Sequence, residues 1–404
     1  MSSPTASSTS PAPVFVLPVV AAAGLSHLLN DLIQALLPAI YPMLKTQFAL
    51  SFSQIGLIAL AYQVTASLFQ PWIGFYTDKH SLPWLLPGGM VLTLTGIGML
   101  ATAGSFPMLI VAACVVGLGS ATFHPEASRV ARMGSGGRFG TAQSIFQVGG
   151  NTGSAIGPLL AAVLVVPHGQ PAIAWFMLAA LLAIVVLWQL SRWSVRHGQA
   201  QIRKLASRQP PPLERATVIR AIAVIAILMF AKFVYTASIT NYFTFYLMER
   251  FGISLRDSQL YLFIFLAAVA AGTFAGGPVG DRMGRKAVIW VSFLGVAPFA
   301  LALPHANLFW TAVLMVAIGL ILSSAFSAMV VYAQEAIPGR VGLVSGLMFG
   351  LMFGLGGMAA AGLGQLADHY GIVQVYQWCA WLPLLGLATA FLPRTRPAVM
   401  LRKA

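Results

Sequence analysis

"GPVGDRMGRK", from Gly277 to Lys286, follows one long apolar segment of the chain and leads into another. A shorter version, "GFYTDK", from Gly74 to Lys79, stands 203 positions earlier in the same setting. Two further pairs of stretches recur at nearly the same offset, "QFALS" with "RFGIS" and "GRFG" with "GRVG". A repeat of this length predicts two halves that are built alike.

Each half contains six apolar segments that are long enough to cross a bilayer. A hydrocarbon core about 30 Å thick needs roughly 20 apolar residues in a helix, and 58% of the chain is hydrophobic while only 8% is charged. Continuous apolar runs favour helices over a β-barrel. We therefore predict an all-α membrane protein with twelve transmembrane helices in two pseudo-symmetric six-helix bundles. The predicted segments are 15–43, 54–77, 84–105, 106–128, 139–166, 171–191, 217–247, 257–280, 286–304, 306–333, 341–366 and 373–392.

The longest polar stretch lies between the sixth and seventh segments and separates the two halves. The predicted bundles span 14–192 and 217–393, with a cytoplasmic linker at 193–216 between them. The Pro- and Ser-rich residues 1–13 are predicted to be a disordered cytoplasmic tail, and 394–404 a second cytoplasmic tail.

The net charge of +14 is interpreted as a topology signal. When the N-terminus is placed inside the cell, 19 of the 23 Lys and Arg residues fall on the cytoplasmic side. This asymmetry is the positive-inside pattern of membrane proteins. It predicts that both termini are cytoplasmic and that the basic residues contact anionic lipid, and it makes nucleic acid a poor partner.

The repeated stretch resembles the signature of the major facilitator superfamily. Residues 277–286 match the pattern Gly-x-x-x-Asp-(Arg/Lys)-x-Gly-(Arg/Lys)-(Arg/Lys) in full, whereas the first copy ends after Lys79 and lacks the trailing basic residues. With the twelve helices, the resemblance covers residues 15–392. It implies that these short loops make charge contacts that stabilise one access state. The predicted gating residues are Asp78, Lys79, Asp281, Arg282, Arg285, Arg138 and Arg340.

A closer resemblance, to the bacterial fosmidomycin-resistance branch of that superfamily, is carried by "LSHLLNDLIQ" and "YAQEAIPGRVGLVSGL". It implies a proton-driven exporter in the bacterial cytoplasmic membrane that acts on fosmidomycin, a small anionic phosphonate. Gly153, Gly157 and Pro158 resemble the antiporter motif of proton-driven exporters, although "LLAA" replaces its usual ending. This motif favours export over uptake.

An aspartate stands in the middle of the first segment. His27, Asn30, Asp31 and Gln34 are spaced 3 to 4 positions apart, so they share one helical face. Such a face must point into the bundle or a watery cavity. We predict that Asp31 gains and loses a proton during transport, with His27 as a second candidate. The alternative is a permanently ionised acid paired with a buried cation.

Lys232 stands at the midpoint of the seventh segment, which the repeat makes the counterpart of the first. Its head group falls short of either interface, so snorkelling does not explain it. We predict that Lys232 attracts an anionic substrate or neutralises Asp31, with Tyr235 continuing the same face. A fixed structural ion pair is the alternative.

The fifth segment carries Gln143, Gln147 and Asn151 on one face. Uncharged donors and acceptors suit a phosphonate without adding a buried charge, so these residues, together with Asn30 and Gln34, are predicted to bind substrate. Hydrogen bonding between helices is an equally open alternative. Glu126 is either a further proton carrier or the partner of Arg129, three positions later.

The sequence has no phosphate-binding loop, no metal-ligand motif and no nucleophile turn of a hydrolase. We therefore expect no enzyme activity, no cofactor and no metal, with the proton gradient as the energy source. The predicted function is a monomeric proton-coupled antiporter that exports small anionic drugs by alternating access. A proton symporter that imports an organic anion and a non-transporting receptor remain as alternatives.

Overall fold

The computed structural model describes most of the chain. The described residues are 14–50, 52–80, 82–206, 214–253 and 255–393. Both predicted tails, 1–13 and 394–404, lie outside the described residues, as does 207–213 in the middle of the predicted linker.

Twelve main helices follow one another along the described chain, and no strand occurs among the described residues. They are α1 (Leu17–Gln47), α2 (Phe52–Lys79), α3 (Leu85–Thr102), α4 (Phe106–Gly134), α5 (Phe139–Leu160), α6 (Phe176–Ala206), α7 (Arg215–Phe251), α8 (Leu255–Met283), α9 (Arg285–Leu294), α10 (Leu308–Ala336), α11 (Val341–Tyr370) and α12 (Ile372–Cys379). Each predicted segment overlaps one of these helices. The predicted all-α fold of two six-helix halves is confirmed.

Several helices are interrupted or continued by short turns at proline, which cannot donate a backbone hydrogen bond. A π-helical turn, Ala161–Val165, follows α5 shortly after Pro158. Proline opens the 3-10 turn Gln170–Trp175 before α6, the turn Ala297–Ala302 after α9 and the 3-10 turn Leu382–Phe391 after α12. These breaks let the segments span a membrane without being single straight helices.

The predicted linker begins as helix. α6 continues to Ala206, well beyond residue 192. Residues 193–206 therefore continue the sixth helix, and polarity alone did not mark the end of the helix.

Nine helical segments of the described chain are each long and apolar enough to cross a membrane. The three that fall short are α2, α5 and α12. Helices α2 and α5 carry glutamines in mid-helix, and they are also the helices that pack against the other half, α2 on α11 and α5 on α8. Their polar residues therefore face protein rather than lipid.

The two halves meet most closely where α2 ends and α11 begins. A Cβ atom added to Gly346 of α11 would collide with the backbone of Gln70, and one added to Gly342 would touch the backbone of Gly74. At Gly354, two turns further along α11, an added Cβ would meet nothing within 4 Å. We call this end of the bundle, where α2 and α8 end and α5 and α11 begin, the motif end. It is closed, and the packing along α11 loosens away from it.

Gly346→Val should open the motif end, because the larger side chain cannot fit against the backbone of Gln70. The measurement is thiol labelling of Ser345→Cys, a fully buried position, in a chain whose Cys114 and Cys379 are replaced by Ala. We expect labelling to rise several-fold. Gly354→Val is the matched control and should leave labelling unchanged. Equal labelling of both variants would contradict the closed interface.

Candidate functional site

The acid of the second signature copy binds the start of a helix in the opposite half. The carboxylate of Asp281 accepts hydrogen bonds from the backbone N–H of Gly140 at 2.9 Å and of Thr141 at 2.8 Å, and from the Thr141 hydroxyl at 2.7 Å. Helix α5 begins at Phe139, so these N–H groups belong to its first turn. The first turn of a helix has unpaired N–H donors and a partial positive charge, which stabilises a carboxylate there.

The acid of the first copy repeats this arrangement. Asp78 accepts from the backbone N–H of Gly342 and of Leu343, both at 2.8 Å, in the first turn of α11. The two acids and their two helix starts are related by the same offset as the sequence repeat. Together they hold the motif end closed from both sides.

In the second copy, the signature acid also forms an ion pair with the arginine of the same signature. Arg285 lies 2.8 Å from Asp281 and 3.3 Å from Glu335 of α10. Asp281 and Arg285, both predicted gating residues, thus lie in contact with each other.

In the first copy, the arginine that pairs with the signature acid comes from another helix. Arg129 of α4 lies 2.8 Å from Glu126 and 3.5 Å from Asp78, and it donates to the Thr77 hydroxyl at 2.5 Å. It pairs with Asp78, as Arg285 pairs with Asp281 in the second copy. Sequence reasoning treated Arg129 only as a local partner of Glu126, because its contact with Asp78 depends on how α2 and α4 pack. Glu126 thus lies in the gate cluster, away from Asp31.

The remaining predicted gating residues lie outside these ion pairs. Lys79 and Arg340 both lie over the Phe75 ring, 4.5 Å and 5.6 Å from its centre, and Arg138 lies 4.9 Å from the centre of Phe15. Arg282 is exposed. Within the described part of the chain, none of the four forms an ion pair.

A second cluster lies in the middle of the first half. The His27 Nε2 atom is 3.3 Å from one oxygen of Asp31, and the His124 Nε2 atom is 3.6 Å from the other. His27 and Asp31 are one turn apart on α1, whereas His124 comes from α4. Both imidazoles are fully buried and the Asp31 side chain is 11% exposed. Asn30 also donates to Asp31, at 3.0 Å.

The contacts of the two Nδ1 atoms indicate where the imidazole hydrogens of this cluster lie. The Nδ1 atom of His27 is 2.8 Å from the carbonyl of Phe146, and that of His124 is 3.4 Å from the carbonyl of Ser120. A carbonyl only accepts, so the short contact of His27 places its hydrogen on Nδ1, and the longer contact of His124 favours the same tautomer. In the neutral rings both Nε2 atoms then turn lone pairs towards the carboxylate of Asp31, and neither has a hydrogen-bond partner among the described residues. A proton added to the cluster converts this repulsion into a hydrogen bond.

The three facing atoms all lie within 4.8 Å of one another, a spacing that a metal ion could also bridge. Either occupant would be a cation. The geometry of the cluster thus has room for a cation between the three side chains.

Glycines bring α5 close enough to build this cluster. A Cβ atom on Gly150 would lie 2.5 Å from the His27 ring and 2.7 Å from Asp31. Gly153 and Gly157 of the predicted antiporter motif approach the backbone of Leu28 and Leu32 on α1 in the same way. In this structure the motif glycines set the packing of α5 on α1. The Pro158 side chain lies outside the described residues.

Aromatic rings connect the cluster to the second half. His27 stacks on Phe146 with ring centres 4.1 Å apart, and His124 lies 4.9 Å from Phe349 and 5.2 Å from Phe353 of α11. Phe349 in turn lies 5.3 Å from Phe326 of α10. The environment of the two histidines therefore depends on the position of α11.

Lys232 lies on the other side of these rings. Its Nζ atom is 5.9 Å from the centre of Phe326 and donates to the backbone carbonyls of Leu322 at 3.0 Å and Ser323 at 3.5 Å. The ion pairs of the described chain do not include Lys232, so here it neutralises neither Asp31 nor another acid. A buried ammonium held only by carbonyls is suited to an anion.

Three of the predicted substrate residues already bind protein groups. Gln34 binds Tyr62 of α2 and donates to Ser120 of α4 at 2.8 Å. Gln143 accepts from Ser128 at 3.1 Å, in a network of the motif end. Asn151 donates to Thr273 of α8 at 2.9 Å and so links the two halves.

Four of the predicted substrate residues retain a buried polar atom without a hydrogen-bond partner among the described residues. They are Asn30 through Oδ1, Gln143 through Nε2, Gln147 through Oε1 and Tyr235 through its hydroxyl. A buried polar group without a partner costs free energy, which a ligand group or water recovers. These four residues stay predicted substrate contacts.

The matched family model is the Major Facilitator Superfamily, over residues 23–361 and 228–401. The Fosmidomycin resistance protein of Escherichia coli (strain K12) is 57% identical over 94% of this chain and 93% of its own length. The Uncharacterized MFS-type transporter YfnC of Bacillus subtilis (strain 168) is 41% identical over the same shares. A crystal structure of the transporter FucP in the outward conformation has a TM-score of 0.74 at 15% identity, covering 94% of this chain and 100% of its own, which shows a shared fold. This chain belongs to the major facilitator superfamily.

Proposed function

We propose that this chain is a proton-coupled antiporter that exports small anionic drugs such as fosmidomycin from the cytoplasm by alternating access. Its likeness to a fosmidomycin resistance protein, at 57% identity over 94% of the chain, supports the substrate class. The buried cluster of His27, Asp31 and His124 supports the coupling, because its neutral form turns two lone pairs towards a carboxylate. That cluster is the observation that carries the proposal.

The proton belongs to the cluster as a whole in this proposal. When titratable groups interact this closely, protons bind to and leave the group of residues rather than one member. The sequence-based hypothesis named Asp31, with His27 and Glu126 as further candidates, and this proposal keeps Asp31 and His27 and adds His124. Glu126 has a different place in the proposal: its ion pair with Arg129 makes it a gate residue.

The closed motif end sets the order of events. With both termini in the cytoplasm, the motif end faces the cytoplasm. Because that end is closed in this conformation, the cluster of His27, Asp31 and His124 takes up its proton from outside the cell. Opening of the motif end requires Asp78 and Asp281 to leave the helix starts they bind. We propose that an anion then loads near Lys232 as the proton leaves inward, with Phe326 and Phe349 linking the two sites.

The rest of the proposal concerns the setting of the protein. We place it in the bacterial cytoplasmic membrane as a monomer without a cofactor, with the proton gradient as its energy source. Each unit charge that moves down a potential of 100 mV supplies about 2.3 kcal/mol. Exchanging an outgoing anion for incoming protons draws on the membrane potential directly.

Purified protein in proteoliposomes with an imposed pH gradient should exchange fosmidomycin for protons. We expect drug to move towards the more acidic compartment, because protons flow the other way through the same carrier. The measurement is radiolabelled drug flux together with a pH-sensitive dye. A chelator arm tests the alternative cation: if EDTA abolishes exchange and a divalent metal restores it, the cluster works as a metal site and proton coupling there is wrong.

Accumulation in cells separates the three functional alternatives. Cells that lack the gene should accumulate more fosmidomycin if the protein exports it, and less if it is a symporter that imports anions. Unchanged accumulation with intact binding to the purified protein would favour a receptor on the same fold.

Lys232→Ala should weaken transport of anionic phosphonates more than that of neutral ester analogues, because the ammonium is the buried charge next to the aromatic link. We expect a loss of at least ten-fold in apparent affinity for the anion, as for a buried charge-assisted hydrogen bond. Lys79→Ala is the matched control, since Lys79 is exposed over Phe75. Equal losses for anionic and neutral substrates would show that Lys232 is structural.

A further inference from the structure

Two arginines at the motif end have no acid to pair with. The first 213 residues contain only three acids, Asp31, Asp78 and Glu126. All three are occupied, by the two histidines and by Arg129. Arg192 and Arg196, one turn apart on α6, are exposed and form no ion pair within the described chain. An anionic partner for them must come from outside this half.

These arginines line a crevice beside two tryptophans. The crevice has a volume of about 290 Å³ and is lined by Trp84, Trp188, Arg192, Val195 and Arg196. The two indole rings lie 4.6 Å apart, and the side chains are 46% and 52% exposed. Tryptophan is enriched at the level of the lipid head groups. The crevice therefore combines an interfacial aromatic pair with two unpaired cations.

A second, almost wholly apolar crevice begins at the same loop. It has a volume of about 510 Å³, and its lining includes Trp72, Tyr76, Leu82 and Leu85. Leu82 and Leu85 flank Trp84 of the first crevice in sequence, so residues 82–85 border both. The loop is fixed in place because the Ser191 hydroxyl of α6 donates to the Pro83 carbonyl at 2.6 Å. A charged crevice and an apolar crevice thus meet at a fixed loop.

We propose that this pair of crevices is a binding site for an anionic phospholipid. The phosphate binds between Arg192 and Arg196, and an acyl chain follows the apolar crevice along Trp72 and Tyr76. Arginine suits this role because its planar guanidinium binds phosphate oxygens in pairs. The site lies on exposed side chains near the adjoining ends of α2, α3 and α6, and it shares no residue with the cluster around Asp31.

In the second half, a basic residue near the corresponding end of the bundle binds backbone groups of the described chain. There Lys286, at the start of α9, donates to the backbone carbonyls of Ala390 at 2.9 Å and Leu392 at 2.5 Å. Lys286 therefore binds its own chain.

Native mass spectrometry of the full chain in detergent tests this proposal. Phosphatidylglycerol and phosphatidylcholine with the same acyl chains are compared on the wild type and on Arg192→Gln/Arg196→Gln. We expect a preference for phosphatidylglycerol, and binding roughly thirty-fold weaker in the double variant, from two charges near the lipid head group. Arg215→Gln/Arg220→Gln, which removes two exposed charges at the start of α7, should bind phosphatidylglycerol like the wild type.

Three results would overturn the proposal. The double variant could retain wild-type binding of phosphatidylglycerol, or the wild type could bind phosphatidylcholine equally well. Alternatively, soluble glycerol phosphate could bind as tightly as the lipid, which would leave the apolar crevice without a role. A thermal unfolding curve of each variant confirms that it is folded.

Discussion

The contact of two buried imidazoles, His27 and His124, with the carboxylate of Asp31 is the interaction on which the proposed mechanism depends. With the hydrogens of His27 and His124 on Nδ1, facing backbone carbonyls, their Nε2 atoms meet the carboxylate of Asp31 favourably when the cluster holds an additional cation. Water cannot easily supply that compensation to rings that are fully buried. Coupling of proton movement to transport requires a site that gains and loses a proton during the cycle.

Helix α11 connects this constraint to the gate. Its first turn binds the carboxylate of Asp78, its Gly346 packs on the backbone of Gln70, and its Phe349 lies beside His124. A movement of α11 that breaks the contact with Asp78 must also shift the aromatic ring next to the histidine. In the proposed mechanism, this one helix couples the charge state of the cluster to the closure of the motif end.

The repeat, the number of helices and the polar face of α1 could be predicted from the sequence, because they depend on periodicity along the chain. The i,i+4 spacing of His27 and Asp31 was enough to place them on one face. His124 could not be assigned in this way, since its contact with Asp31 depends on how α4 packs on α1. The separation of Lys232 from Asp31 was equally invisible, because the intervening rings of Phe326 and Phe349 belong to other helices.

The contacts of the predicted gating residues likewise could be predicted only in part from the sequence. The signature identified Asp78, Asp281 and Arg285, but no pattern in the sequence indicated that Arg129 would replace the missing basic residues of the first copy. Asp281 binds the start of α5 and Asp78 binds the start of α11. These contacts depend on how the helices pack, so the sequence alone could not predict them. Local spacing predicts which residues share a face, and tertiary packing decides what that face meets.

The most direct measurement of the central claim is the number of protons moved per drug molecule in proteoliposomes for Asp31→Asn and Glu126→Gln. Both variants neutralise a buried acid of the first half, but only Asp31 belongs to the cluster. The account predicts that Asp31→Asn inserts and folds yet moves no protons in response to drug, while Glu126→Gln changes the rate and keeps the ratio. Wild-type proton movement by Asp31→Asn would contradict it.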